Sequence, residues 1–448
     1  MIEFLFFTVV IFTGFSIIFF LKKGTFLDFK NIWSIIFYKE AVFILLPVLL
    51  VSVIDVKEFN AFKMVKQEEV FFISMLVVFS FFLFSFFFLI LNRIIIKSNH
   101  VSFASKSFVY ESSVDYFSTA AVFSGVLLLI FSILFLGYKH AFLTSIFSGA
   151  NVLHIRLQNA YSSNLPSQIS YMITVAYWIA AIYSGLLATK RKYLYSFVFI
   201  LIGVLLSSAG GAKAPVINLL VFFVMSYLYF SAFSASLKKV SFSKVLLWSP
   251  VYFSVIFVVL YYVVSLQIAD LNMSKFFVYL FERLGVGQMA GVYETFSIDF
   301  LLPESAWHMV PFASLFVDYP IFSKELMLFT ENREFSDTGV KNSLFIAEAY
   351  GMGGWLLMIL SPIWMAFAYI IRIFILSLFL KFAFGRSVRD IYLIPLFFLS
   401  TNLTGDFSSL ALQKGTILLL LTLVVFYIVG LFVKLFKRSL VSFKVSAS

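Results

Sequence analysis

The chain has 448 residues and a mean hydropathy of +1.02, with 62% of the residues hydrophobic and 12% charged. Soluble domains are about 45–50% apolar and about 25% charged, so this composition excludes a soluble protein and indicates an integral membrane protein. The net charge of +11 is typical of lysines and arginines that hold loops in the cytoplasm, so it does not indicate a nucleic-acid partner. The sequence contains no cysteine, which excludes disulfides and thiolate chemistry.

The apolar segments predict an all-α polytopic fold with eleven transmembrane helices. A helix needs about 20 apolar residues to cross a bilayer. The first apolar run is predicted to be a span and not a signal peptide, because Lys22 and Lys23 follow it instead of preceding it. No ionisable residue stands out in the middle of a span. The predicted spans are 3–21, 35–54, 70–91, 117–137, 169–189, 193–208, 216–235, 246–266, 352–371, 391–409 and 415–433.

Charges in the loops predict how the spans are oriented. Alternate loops on one side carry 21 of the 33 lysines and arginines, and the loops on the other side carry 12. The richer side is expected to be cytoplasmic, which places the N-terminus outside and the C-terminus inside. The chain then divides into a membrane domain at 1–266, an outer loop at 267–343 and a second membrane part at 344–448.

The outer loop 267–343 is more polar than the rest of the chain, since it holds ten of the 22 acidic residues and five basic ones. A protein that only moves a solute has no need of such a loop, so we expect it to act on a substrate at the membrane surface. Amphipathic stretches such as 276–281 predict short helices that lie in the headgroup region. Acidic, tyrosine and tryptophan side chains of the loop are candidates for holding sugars.

Three basic residues on the predicted outer face are candidates for an anion site: Arg156, Lys213 and Arg283. Lys213 lies in the short turn 207–215 between two apolar helices, where a charge is costly and is by default a functional hypothesis. Glycines in this turn permit close backbone approach, and the N–H groups that begin the next helix attract anions. Arg156 and Arg283, taken singly, fit ordinary solvated loop charges equally well.

A diphosphate on a long lipid is the ligand that suits three converging cations. Guanidinium groups bind phosphate through two hydrogen bonds, and ammonium groups act as point charges. The same groups would stabilise the charge that grows on a departing diphosphate, without a metal ion. The sequence contains no D-x-D, HExxH, P-loop or G-x-S-x-G motif. Neither a metal site, nor a cofactor, nor a nucleotide-driven pump is therefore expected.

Several other residues have simpler interpretations. His140 and His154 are isolated in the sequence and are expected to be structural, whereas His308 in the outer loop is kept as a candidate for the site. The glycines in the range 351–354 are interpreted as residues that let helices pack closely.

The layout of the chain is accompanied by three local patterns. The segment 154–161 reads HIRLQNAY, the turn 209–214 reads AGGAKA, and Asn342 is followed by EAYGMGG at 348–354. The first pattern is similar to an Arg-x-x-x-x-Tyr segment. The second is similar to a Gly-(Gly/Ser)-x-Arg-(Ala/Gly) turn in which Lys213 replaces arginine. The third is similar to an Asn…Glu-x-Tyr entry into a span. With a moderate and a dominant outer loop, the chain resembles the Wzy-type O-antigen polymerase family of bacterial inner-membrane enzymes. The related O-antigen ligases have histidine where this chain has Lys341.

The resemblance implies a glycosyltransferase-C-type fold and a metal-independent transferase on the periplasmic face. Such an enzyme moves a growing glycan from undecaprenyl diphosphate to the sugar of a new undecaprenyl-diphosphate-linked repeat unit. Arg156, Lys213 and Arg283 would bind the donor diphosphate. Glu282, Glu294 or Glu348 would be the acceptor base. The sugar-binding candidates are Tyr161, Tyr293, His308, Lys341, Asn342 and Tyr350.

Two other classes of function stay open at this point. A lipid-linked oligosaccharide flippase or another transporter is the main alternative, although the sequence shows no internal repeat. An O-antigen ligase is the alternative among enzymes, and a purely structural membrane protein would leave Lys213 without a role. The expected partners are lipid-linked repeat units and membrane lipid, with a chain-length regulator and a flippase as further candidates.

Overall fold

The computed structural model describes residues 2–22, 32–96, 112–162, 165–233, 271–282, 286–310, 316–331, 341–403 and 414–446, with single residues or pairs between 254 and 265 and residues 313 and 407. All regular structure within these ranges is helical, as the composition predicts. The helices are α1 (Ile2–Lys22), α2 (Ile32–Val51), α3 (Val70–Leu91), α4 (Ser112–Phe135), α5 (Ala141–Ser148), α6 (Val152–Ser162), α7 (Ser167–Thr189), α8 (Tyr193–Ser208), α9 (Lys213–Phe233), α10 (Met273–Leu280), α11 (Ala290–Ser297), α12 (Phe322–Glu331), α13 (Phe345–Phe384), α14 (Arg386–Ser400) and α15 (Lys414–Ser446).

Several of these helices have the length and apolarity of membrane spans. Within the described ranges, five qualify by both measures, namely α1, α3, α4, α7 and α13. Shorter apolar stretches accompany them at Tyr193–Ser208, Asn218–Ser231 and Thr416–Phe432. The chain is therefore a helical membrane protein. Helices occupy the predicted spans except the eighth, 246–266, which lies almost wholly outside the described residues; the count of eleven stays a prediction.

The chain forms two compact units, of which the first contains Met1–Ala104, Met273–Ile375 and Ser400–Ile417. In this unit α1, α2 and α3 pack against one another, and α11 of the outer loop lies against α3. Aromatic side chains fill its core. The ring of Phe84 lies 5.7 Å from that of Phe88 and 5.2 Å from that of Tyr369, measured between centroids.

The second unit contains Ser105–Asn272, Leu376–Leu399 and Leu418–Ser448. Its central helix is α7, which packs against α4, α8 and α9. Small residues allow these helices to approach closely, since a Cβ placed on Gly185 of α7 would lie 2.7 Å from Ser226 Cβ of α9. The two units are spatial and cut across the predicted division at residues 266 and 343. That division follows membrane topology and stays a prediction.

α13 is interrupted near its start, at Gly353 and Gly354. Gly354 has φ +64° and ψ −158°, a conformation that is essentially restricted to glycine. A Cβ on Gly354 would meet nothing within 4 Å, so this residue serves backbone conformation and the packing interpretation is wrong for it. Gly351 does fit that interpretation, because a Cβ there would overlap the ring of Phe322.

α14 is shorter than the span predicted at 391–409. It ends at Ser400, and residues 401–403 are not helical. Peptide groups in a bilayer must have hydrogen-bond partners, so a non-helical segment inside a predicted span needs partners from other parts of the protein.

Side chains of α2 supply some of those partners. Leu403 N donates to Glu40 Oε2 at 3.1 Å, and Lys39 Nζ donates to the carbonyl oxygen of Thr401. Lys39 Nζ also pairs with Glu40 Oε1 at 3.3 Å. Glu40 is fully buried within α2. Glu40 lies near one end of the predicted span 35–54, so the expectation that no ionisable residue stands out in the middle of a span stays a prediction. The local partners of this carboxylate are what sequence position alone does not reveal.

Candidate functional site

The turn between α8 and α9, residues 209–212, is built around Gly211. Gly211 has φ +69°, and a Cβ there would lie 2.7 Å from Ala141 Cβ of α5 and 2.8 Å from Arg156 Cγ of α6. Glycine is therefore the residue that both the backbone conformation and the available space require. The helices α5 and α6 pack directly on this turn, and the stem of Arg156 lies against it.

Backbone and side-chain hydrogen bonds fix α5 on the turn. Ala141 N donates to the carbonyl oxygen of Ala209 at 2.9 Å. His140 Nδ1 accepts from Leu143 N at 3.3 Å, so its Nε2 carries the proton and donates to the carbonyl oxygen of Leu205 at 3.0 Å. Burial lowers the pKa of His140, which agrees with this neutral tautomer. His140 is structural, as its isolation in the sequence predicts.

α6 is attached to the same region through Asn159. Lys139 N donates to Asn159 Oδ1 at 2.9 Å, and Asn159 Nδ2 donates to the carbonyl oxygen of Lys139 at 2.7 Å. The position of Arg156 is therefore set by α6, and α6 in turn is held to the start of α5.

The backbone of the turn brings the positions of two of the three predicted diphosphate ligands to one region. Arg156 is exposed on α6 with its stem against Gly211, and Lys213 is the first residue of α9. Arg283, the third, lies outside the described residues. An anion at this turn would lie near the guanidinium group of Arg156 and near the first N–H groups of α9, the helix that begins at Lys213.

The length of α8 bears on how deep this turn lies. α8 has 16 residues, which corresponds to a rise of about 24 Å. The hydrocarbon core of a bilayer is about 30 Å thick. If Lys192, just before α8, lies at one headgroup layer, the turn after α8 lies at or below the opposite one.

Glu294, one of the predicted acceptor bases, belongs to a buried ion cluster in the first unit. Its Oε2 pairs with Lys341 Nζ, and its Oε1 accepts from Lys63 N at 2.7 Å. Lys341 Nζ also donates to Thr330 Oγ1 at 3.0 Å and lies 3.8 Å from Glu331 Oε1. The structure thus joins a predicted base to a predicted sugar ligand, but as an ion pair that holds the entry to α13 against α11 and α12.

The two other predicted bases differ from each other. Glu348 is buried, and its Oε2 accepts a hydrogen bond from Phe407 N. Glu282 is half-buried after α10, and its enclosed Oε1 has no hydrogen-bond partner among the described residues. Of the three carboxylates, Glu282 is the one with an oxygen that has neither a hydrogen-bond nor an ion-pair partner among the described residues.

The predicted sugar ligands differ in their burial and in their hydrogen-bond partners. Tyr293 is fully buried, with its hydroxyl 2.9 Å from that of Ser74, and burial raises its pKa. Asn342 is exposed, and its Nδ2 donates to Gln288 Oε1 at 3.2 Å. Tyr350 is buried and donates to Asp299 Oδ1. Tyr161 lies in α6 and His308 in the helical turn Pro303–Met309, and their side chains are outside the described part of the chain.

Sequence reasoning missed an exposed carboxylate at the edge of an aromatic cluster in the first unit. Asp299 accepts from Tyr350, whose ring lies 5.1 Å from that of Trp355. A turn after α11 and the interruption in α13 bring these residues together, and neither leaves a periodic signal in the sequence. Among the described residues no group of three or more histidine and acidic side chains is arranged to hold a metal ion.

Comparison with known proteins gives no relative. No family model matches the chain, and no curated protein or solved structure matches it either. A function for this chain therefore has to be supported by the chemistry of its own residues.

Proposed function

We propose that the chain is a metal-independent glycosyltransferase that polymerises lipid-linked oligosaccharide repeat units, as the resemblance to the Wzy-type family implies. It would transfer a growing glycan from undecaprenyl diphosphate to the sugar of a new lipid-linked unit. The observation that best supports this is the packing of Arg156 against Gly211, two residues before Lys213. Two cations from distant parts of the sequence thereby share one glycine turn that begins a helix.

A diphosphate bound at this turn would be stabilised most as it departs. In the transfer, an acceptor hydroxyl loses its proton to a base, its oxygen bonds to the anomeric carbon, and the bond to the diphosphate breaks with its electron pair. The negative charge that then grows on the diphosphate is opposed by the guanidinium group of Arg156, the ammonium group of Lys213 and the first N–H groups of α9. The base would be one of the predicted carboxylates, Glu282, Glu294 or Glu348, and among these Glu282 has an oxygen without a partner in the described part of the chain.

The finer topology belongs to the same proposal. We place the chain in a bacterial inner membrane with eleven spans and a glycosyltransferase-C-type fold. The N-terminus and the loop 267–343 would be periplasmic and the C-terminus cytoplasmic, in line with the distribution of lysine and arginine. The partners would be undecaprenyl-diphosphate-linked repeat units, membrane lipid, a chain-length regulator and a flippase.

A transporter of lipid-linked oligosaccharides is the second candidate, and one observation favours it. Glu40 and Arg372 are buried in α2 and α13, and ionisable groups inside spans often mark transport pathways. Glu40, however, is engaged with Lys39 and the backbone of Leu403. That engagement gives the carboxylate a structural role and leaves polymerase as the better-supported function.

Deletion of the gene in its host separates these functions, with surface glycans displayed on a gel. A polymerase predicts that glycans with a single repeat unit persist while the ladder of longer chains disappears. Loss of all surface glycan, with lipid-linked units retained inside, would instead identify a transporter. Long polymer that accumulates without attachment to its final lipid would identify a ligase.

Point variants expressed in the deletion strain then test the site. Arg156→Ala and Lys213→Ala should each abolish the ladder at normal protein level, and Lys213→Arg should retain it. Lys139→Ala is the matched control, because Lys139 is an exposed lysine of the same outer segment whose Nζ bonds Gln158 Oε1 at 3.1 Å. A normal ladder in both alanine variants would remove the turn from the active site.

A further inference from the structure

An aromatic cluster lies in the first unit, where the outer loop meets α13. The ring of Phe296 lies 4.9 Å from that of Tyr350 and 6.0 Å from that of Trp355, and Phe72 lies 6.4 Å from Trp355 on the other side. Tyr350 is buried, whereas the side chain of Trp355 is 48% exposed. Tyr350 therefore forms the base of the cluster and Trp355 its accessible surface.

A carboxylate is fixed at the edge of this cluster. Asp299 is exposed, and its Oδ1 accepts from the hydroxyl of Tyr350. No described residue donates to its Oδ2. The backbone at Asp299 has φ +54°, in the left-handed region that aspartate and asparagine adopt more readily than most other residues. This conformation and the bond to Tyr350 hold the carboxylate at the hydroxyl end of Tyr350, whose ring lies 5.1 Å from that of Trp355.

The pairing of an exposed indole with a fixed carboxylate matches the chemistry of a sugar ring. A pyranose has a face of C–H groups that packs on an aromatic ring, and hydroxyls at its edge that donate to a carboxylate. Binding sites for small polar molecules commonly combine an aromatic wall with a few placed polar groups. Trp355 directly follows the interruption at Gly353 and Gly354, where the outer loop enters a predicted span. With this predicted topology, the first sugars of a diphosphate-linked lipid would lie at the same level.

We propose that Asp299 and Trp355 form a binding site for a sugar of the lipid-linked oligosaccharide, with Phe296 extending the aromatic wall and Tyr350 positioning the carboxylate. This inference rests on the proposed function, because that function supplies the substrate. It adds Asp299, Trp355 and Phe296 to the residues that contact substrate and gives Tyr350 a supporting role.

The competing explanation is that Trp355 is one of the aromatic residues that anchor membrane proteins at the headgroup layer. Trp307 provides the matched control, since it is an outer-loop tryptophan with nearly the same exposure, 47% against 48% for Trp355. Anchoring predicts that the two tryptophans behave alike and that the charge of Asp299 is dispensable. A sugar site predicts that they differ.

The experiment measures binding to the purified full-length chain in lipid nanodiscs. The two probes are radiolabelled undecaprenyl-diphosphate-linked repeat units, extracted from the deletion strain, and bare undecaprenyl diphosphate. Trp355→Ala and Asp299→Asn should each reduce the preference for the sugar-bearing lipid about tenfold, the equivalent of one lost aromatic or charged contact. Asp299→Asn keeps the backbone conformation and the acceptor for Tyr350, so it reports on charge even if Trp355→Ala fails to fold.

The controls separate failure of this inference from failure of the proposed function. Trp307→Ala should keep the wild-type preference, and Lys213→Ala should weaken both lipids to the same degree. Unchanged preference in both Trp355→Ala and Asp299→Asn would overturn the sugar site alone. If the wild-type chain binds neither lipid, the proposed function is overturned and the sugar site with it.

Discussion

At the scale of single residues, the α8–α9 turn depends on Gly211. The local letters AGGAKA predict a tight turn before a helix, but they do not predict what packs on it. Arg156 reaches Gly211 from α6, and two further helices, α7 and α8, separate the two residues in the chain. Local turn chemistry is readable from sequence, whereas the choice of partner depends on tertiary packing that no short pattern encodes.

Gly211→Ala should destabilise the chain and remove polymer. A left-handed alanine costs about 1–2 kcal/mol, and its Cβ would also press on Ala141 and Arg156. Gly210→Ala is the control, because a Cβ there would meet only Tyr138 Oη at an ordinary 3.5 Å. The apparent melting temperature in detergent and the glycan ladder are measured together. Equal melting temperatures and equal glycan ladders in the two variants would contradict the role given to Gly211.

Lys341 offers a second test at the residue scale. Lys341→Met leaves Glu294 fully buried without its cation, which should cost about 3–5 kcal/mol. Adding Glu294→Gln should recover part of the loss, because the uncompensated charge is then removed. The exposed pair Lys66–Glu69 is the control, and Lys66→Met should cost less than about 1 kcal/mol.

The same variants distinguish an ion pair from a sugar ligand. If Lys341 bound substrate as the sequence predicts, Lys341→Met would shorten the polymer while the melting temperature stayed at the wild-type value. A variant that melts early, with recovery in the double substitution, would support the structural role.

At the scale of elements, the sequence predicts helices better than it predicts their ends. The long apolar runs of α3, α4 and α7 lie where expected, because about 20 apolar residues leave a chain in lipid little choice but a helix. The predicted span 391–409 runs past the end of α14 at Ser400, although residues 401–409 read TNLTGDFSS and are largely polar, so the sequence does carry a signal for this break. The partners that make the break tolerable are Glu40 and Lys39 from α2.

Glu40→Ala should therefore loosen the segment after α14. It leaves Lys39 without its carboxylate and Leu403 N without its acceptor, a loss of about 3 kcal/mol or more. Glu40→Gln retains an acceptor oxygen and should fall between the wild type and Glu40→Ala. Apparent melting temperatures of the three proteins give the order, and an unaltered value for Glu40→Ala would show that the break has other support.

At the scale of the whole molecule, composition predicts a helical membrane protein and loop charges predict its orientation. What sequence does not reveal is the grouping into two units, because each unit draws on segments from distant parts of the chain. For the same reason, sequence does not reveal which of the predicted site residues contact one another. Local chemistry predicts Arg156 and Lys213 as ligands. It predicts separate roles for Glu294 and Lys341, which are partners in the fold.

The absence of native cysteine makes the orientation directly testable, since any introduced thiol is unique. Glu304→Cys, in the outer loop, should react with a membrane-impermeant maleimide in intact spheroplasts. Arg386→Cys, at the start of α14, should react only after lysis. Both positions are exposed to solvent or headgroups in the fold. A reversed pattern of labelling would invert the predicted topology.

The 16-residue length of α8 has a consequence for the surrounding lipid. A helix shorter than the bilayer creates hydrophobic mismatch, which the membrane relieves by thinning locally, at a fraction of a kcal/mol per ångström. If α8 spans the bilayer as the sequence predicts, the acyl chains next to it would be compressed, and under the proposed function a polyprenyl carrier arriving there would have its diphosphate drawn toward the turn. Membrane thickness would then act as a regulator, with shorter acyl chains relieving the elastic strain and thicker bilayers opposing access to Arg156 and Lys213.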